Sequence, residues 1–133
     1  MKTSLKRFVT ESQVKLKLSE IIDAGFSLRE ISKIKLPVLL SFQISLFLKS
    51  VNPIFESYNE NRKKLLEEFG ILNLEKNKYD FPIKGNENKY NKKYQELISQ
   101  EIEINIPNVK LSDLGDIKIE PGVLESLTWF FKE

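Results

Sequence analysis

Cysteine and histidine are both missing from this 133-residue chain, and alanine occurs once. Without them there is no thiolate nucleophile, no Ser-His-Asp triad, no imidazole acid–base pair and no Cys- or His-based zinc site. Any catalysis would rest on carboxylates, Lys, Tyr or a bound ion. Lack of Cys is compatible with a reducing cytoplasm. Glycine and proline number five each and tryptophan one, so punctuation is sparse and each instance is informative. A secretory leader is not expected, because the N-terminus has basic residues but no uninterrupted apolar segment or small-residue cleavage site. Long apolar runs are also lacking. The longest, around Val38 to Leu48, is interrupted by Ser41, Gln43 and Ser45 and is too short for a bilayer, which needs about 20 residues; no membrane partner is expected.

What remains is an ordinary globular composition, 41% hydrophobic and 30% charged, in a length suited to a single domain spanning 1–133. Net charge is only +2, but residues 1–35 hold eight Lys/Arg against four Asp/Glu, and residues 101–133 three against seven. The ends therefore differ as +4 and −4, which favours their contact and argues against a nucleic-acid polymer as partner. The abundance of Lys, Asn and Ile reads as an AT-rich coding genome.

The dominant signal is the stretch from Leu36 to Gly70. Leu40, Ile44, Phe47, Val51, Ile54, Tyr58, Asn61 and Leu65 follow alternating steps of four and three, one seam of a long helix. Pro37 suits its first turn, and Gly70 is expected to end it in a left-handed Schellman turn. Pro53 kinks the helix or breaks it at Val51–Asn52; the seam keeps phase across it, which favours the kink. Leu39, Phe42, Leu46 and Leu48 flank the seam, so the first half is expected to be enclosed on several sides. Beyond Pro53 the apolar stripe narrows. Its residues Ile54, Tyr58, Asn61 and Leu65, with Trp129 from the end of the chain, form the expected interface of a homo-oligomer unless the chain covers them itself.

Before this helix, residues 1–10 read as an edge strand or a mobile basic arm. A capping box (Thr10, Gln13) and a staple (Val9, Val14) then predict a helix from about residue 11 to Ala24, stopped at Gly25. Ser27 and Glu30 repeat the box. After Gly70 the period shortens: Ile71, Leu72 and Leu74, then Tyr79, Phe81 and Ile83, flank Lys76-Asn77 as a hairpin. A helix over about 88–100 follows, then a strictly alternating strand, Glu101 to Ile106. Ile117 and Ile119 suggest a further strand, and Pro121 opens a last helix. The fold class is α+β and predominantly helical: one long central helix, a small antiparallel sheet or hairpin and a C-terminal helix.

No catalytic or metal-ligating constellation emerges, and no cofactor is implied. The acidic side chains Glu101 and Glu103 read as the wet face of a strand. The one mixture of basic and aromatic residues is Lys89, Tyr90, Lys92, Lys93 and Tyr94, with Arg62 beside Tyr58 as a second source of charge. There tyrosines could stack on a base while cations meet phosphate, as an anionic ligand such as a cyclic nucleotide would require.

In the order of its landmarks the chain resembles small, largely uncharacterised proteins encoded by phages and prophages. Those landmarks are the capped first helix, Lys35-Leu36-Pro37, Leu65 to Gly70 closing the long helix, the hairpin, Glu101 to Pro107, and Ile119-Glu120-Pro121. The resemblance implies a viral accessory protein acting in the host cytoplasm or in the virion. Its function would be non-enzymatic: binding a host or virion protein and inhibiting antiviral defence. The alternative is an oligomeric sponge that sequesters a cyclic-nucleotide immune signal.

Overall fold

A computed structural model describes residues 12–132, and the expectations for residues 1–10, with Val9 and Thr10 of the capping motif, lie outside it. The fold is α+β, with one long helix, small two-stranded sheets and a short helix near the C-terminus. The chain divides into two units, residues 1–51 with 101–133 and residues 52–100.

In the first unit, β1 (Ser12–Lys17) leads directly into α1 (Leu18–Ser32). The predicted helix over 11–24 is therefore a strand for half its length. Leu16 is buried and Val14 half-buried, whereas Gln13, Lys15 and Lys17 are exposed, a period of two. Pairing with β4 (Glu101–Ile106) decides the outcome, because the two strands run antiparallel with Val14 opposite Ile104 and Leu16 opposite Ile102. On the wet face Lys15 faces Glu103 and Lys17 faces Glu101, a cross-strand charge match that stabilises antiparallel pairs. The charge asymmetry between the ends of the sequence is thus partly met within one sheet.

The Glu20 carboxylate accepts the Lys17 backbone N–H at 3.1 Å and caps the start of α1. Nor does the helix stop at Gly25, which is buried in its interior. Ser27, expected to open a second helix, lies mid-helix, where its hydroxyl meets that of Ser126. Because Ser126 already donates to the Val123 carbonyl at 2.8 Å, Ser27 must supply the proton between them.

The long helix α2 (Val38–Phe69) begins where Ser41 N–H donates to the Pro37 carbonyl. It continues unbroken through Pro53, although that residue leaves the Lys49 carbonyl without its usual donor. Leu40, Ile44, Phe47 and Val51 of the seam are 1–3% exposed. They belong to a core completed by Leu18, Ile21, Leu28 and Ile31 of α1, Ile104 and Ile106 of β4, and Leu127, Phe130 and Phe131 from the C-terminal segment. Phe130 sits edge-on to Phe47 (5.0 Å), Trp129 (6.0 Å) and Phe131 (5.2 Å), the tilted geometry that aromatic quadrupoles favour.

The C-terminal segment is less regular than predicted. Ile117 and Ile119 lie in irregular chain, and α3 (Pro121–Glu125) ends after five residues. Beyond Ser126 the chain runs in turns, with Phe130 N–H reaching the Leu127 carbonyl over three residues and Phe131 N–H reaching the same oxygen over four. Phe131 instead enters β6 (Phe131–Lys132), which pairs in parallel with β5 (Val109–Lys110).

The second unit contains residues 52–69 of α2, the hairpin of β2 (Ile71–Asn73) and β3 (Lys78–Asp80), and α4 (Asn86–Ile98). The hairpin lies where the sequence places it. Asn73 Oδ1 accepts the N–H groups of Glu75 and Lys76, its Nδ2 donates to Asp80, and Asn77 takes the left-handed conformation at φ 52°. Asn tolerates both roles. Gly70 contradicts the Schellman expectation, since it is not among the residues of positive φ. Its reason is space: a Cβ there would stand 2.9 Å from the Leu66 carbonyl oxygen, and 3.2 Å from both the Asp80 carbonyl oxygen and the Phe81 ring. Glycine ends α2 by letting the hairpin backbone approach it.

Candidate functional site

The tyrosines predicted to hold a ligand do come together. In the second unit Tyr90 and Tyr94, one turn apart on α4, stack at 5.8 Å with 15° between their planes, and Phe81 packs on Tyr90 at 5.2 Å. Tyr58 of α2 closes the cluster with a 2.7 Å hydroxyl–hydroxyl hydrogen bond to Tyr94. Burial, and then this hydrogen bond, push the Tyr58 phenol up to about 12. Burial likewise raises Tyr90, against a smaller opposing pull from the Arg62 guanidinium.

Arg62, named on the sequence as one of two separate charge sources, is therefore the cation at these rings. The lysines are dispersed. Lys89 and Lys92 are exposed, and Lys93 lies 3.7 Å from Glu96. A shallow cleft of about 440 Å³ includes Lys93, Lys64, Asn61 and Leu65, but Glu68 and Glu96 line it as well. Its charge is mixed rather than anion-selective.

The expected interface residues are distributed differently. Tyr58 is satisfied by Tyr94, and Asn61 donates to the Ser57 carbonyl of its own helix at 2.8 Å. Ile54 and Leu65 are half-buried. Trp129 belongs to the other unit, where it packs against Phe47 at 5.9 Å.

The large apolar surface lies where enclosure was expected. Val38 is 82% exposed, Leu39 79%, Phe42 56% and Leu46 46%, so the first half of α2 is covered on one side alone. At 100° per residue these four side chains fall on the face opposite Leu40, Ile44, Phe47 and Val51. Their spacing was visible in the sequence; which apolar face the chain would cover was not. Beside them a cleft of about 340 Å³ is lined by Pro37, Leu39, Gln43, Asn108 and Asp113. Among the described residues no group of His, Cys, Asp or Glu has the arrangement of a metal site.

The fold and these surfaces define an α+β chain with one exposed apolar helix face and one self-contained tyrosine–arginine cluster. Comparison with known proteins finds no matching family model, no matching curated protein and no matching solved structure.

Proposed function

We propose that this chain is a non-enzymatic binding protein that acts by docking the outer face of α2 on a host or virion partner. The observation that carries this reading is the exposure of Val38, Leu39, Phe42 and Leu46 on one helix face. Scattered apolar side chains are normal on a protein surface, but a contiguous stripe of large ones marks an interaction site. On the resemblance to phage accessory proteins, the setting is the infected host cell and the outcome interference with a defence system. Self-association through the same face is the version of this reading in which the partner is a second copy.

The test places a photo-crosslinking residue at position 42, and in a control at position 60 on the charged side of α2, in cells that make the protein. Adducts at 42 that are absent at 60, and that disappear with Leu39→Glu, are expected. Equal labelling at both positions, or no adduct at either with protein or lipid, would remove the face as a docking element, and an adduct of twice the chain mass would identify a homodimer.

A second reading, sequestration of an anionic small molecule, draws support from the convergence of Arg62 on Tyr58 and Tyr90. It predicts heat on titration with cyclic di- or trinucleotides, diminished by Arg62→Ala; no heat with any of them would remove it.

A further inference from the structure

The sequence around the exposed face of α2 is one-signed. Between Glu30 and Glu56 there is no Asp or Glu, while Lys33, Lys35 and Lys49 all fall in this interval. Lys33 has Glu30 at 2.9 Å; Lys35 and Lys49 are exposed. Lys49 continues the three-and-four spacing of Leu39, Phe42 and Leu46, so its aliphatic stem extends the stripe and its ammonium sits at the edge. The acidic group bordering the stripe in the adjoining cleft is Asp113, at the N-terminal end of α2, where its carboxylate accepts the Lys110 backbone N–H at 2.8 Å.

The helix is also apolar in the sense that matters to lipid. By length and composition α2 contains an 18-residue window able to enter a bilayer, yet 28% of that window is buried within the protein. Spanning is ruled out by the opposite side of the same helix, because Leu40, Ile44, Phe47 and Val51 are committed to the core. A helix held on one side by its own domain can only lie in the interfacial plane, with Leu39, Phe42 and Leu46 at acyl depth and lysines at the headgroups.

From this juxtaposition of an exposed apolar stripe with two exposed lysines, in a stretch of chain that has no acidic residue of its own, we infer that the outer face of α2 docks on an anionic lipid surface. This inference rests on the docking reading above and names the partner of the same face. A second copy is the poorer occupant on charge. The only charged residues between Glu30 and Glu56 are lysines, so pairing this face with itself brings like charges together, whereas an anionic membrane attracts them.

The experiment is co-sedimentation of the full chain with vesicles of phosphatidylcholine containing roughly a quarter phosphatidylglycerol, beside vesicles of phosphatidylcholine alone. Binding at least about tenfold tighter to the anionic vesicles is expected, falling as salt rises beyond the range where surface charges are felt. Phe42→Glu with Leu39→Glu should abolish it. Lys35→Glu with Lys49→Glu should erase the lipid preference; circular dichroism checks that each variant keeps its helix content. Equal binding to both vesicle types, or binding unaffected by either pair, would overturn the inference. If vesicles are not bound but position 42 still crosslinks to a protein, the lipid partner is wrong and the docking reading stands. If vesicles are not bound and position 42 labels nothing, both fail.

Discussion

The two units of this chain are built on different physics. Every buried apolar side chain among the described residues except Phe55 belongs to the first unit. In the second, α4 contributes no buried residue, and the contacts are a tyrosine cluster, an Asx turn and a hydrogen bond from Asn86 to the Phe69 carbonyl. One is stabilised by removing large apolar area from water, which scales with what is buried. The other is stabilised by geometry, in which each hydrogen bond adds about 1 kcal/mol net and an orphaned partner costs more. Substitutions should therefore act very differently on the two.

The largest effect is expected at the centre of the first unit. Phe130 is 0% exposed and touches three aromatic rings, so Phe130→Ala should cost ~3–5 kcal/mol, and Ile44→Ala and Phe47→Ala ~2–5 kcal/mol each. Urea denaturation followed by circular dichroism measures this. A loss below about 0.5 kcal/mol at all three would mean that the core lies elsewhere.

In the second unit the most sensitive position is Gly70, whose added methyl would meet two carbonyl oxygens and a ring edge. Gly70→Ala should destabilise by ~1–3 kcal/mol, as overpacking does. Amide exchange should show the loss concentrated in the hairpin and α4. A substitution with no penalty would revive the simpler view that Gly70 serves a turn.

The tyrosine cluster sharpens the contrast through pH. A phenol whose folded value lies near 12, against about 10 unfolded, is more protonated in the folded state. Its contribution is fully present below pH 10 and is lost as pH rises from about 10 toward 12. Tyr90, raised as well, adds to the same slope. Local unfolding of residues 52–100 in that window, monitored by tyrosinate absorbance, should shift upward in Tyr58→Phe. A wild-type transition identical to that of the variant would detach the slope from Tyr58.

The sequence was legible wherever one local pattern had one solution. The β4 alternation, the hairpin about Lys76-Asn77, the start of α2 after Pro37 and the tyrosine face of α4 all appear as read. It misled where two local patterns competed. Val14 and Leu16 fit a helix after a capping box and equally a strand, and pairing with Ile102 and Ile104, nearly ninety residues away, decides between them. Gly70 and Gly25 illustrate a second limit: glycine marks a turn, a tight approach or a buried helix interior with the same letter. The candidate site shows a third. Leu39, Phe42 and Leu46 share the spacing of the buried seam, and only the placement of the other elements reveals which of the two faces is left uncovered.

That last distinction supplies the smallest expected change in stability. At Leu39 and Phe42 a carboxylate would replace side chains already more than half exposed, so little burial is lost. Glu is the better helix former than Phe. At position 39 a negative charge also falls in the first turn of α2, where no acidic residue now stands and the helix dipole favours one by about 0.3–1 kcal/mol. Leu39→Glu and Phe42→Glu should therefore leave unfolding free energy within ~0.5 kcal/mol of the parent chain, while removing whatever the face binds. Urea unfolding and crosslinking yield on the same preparations separate the two quantities. A loss of ~2 kcal/mol or more in either variant would mean that the face is covered within the chain, and the division between a packed seam and an open stripe on α2 would fail with it.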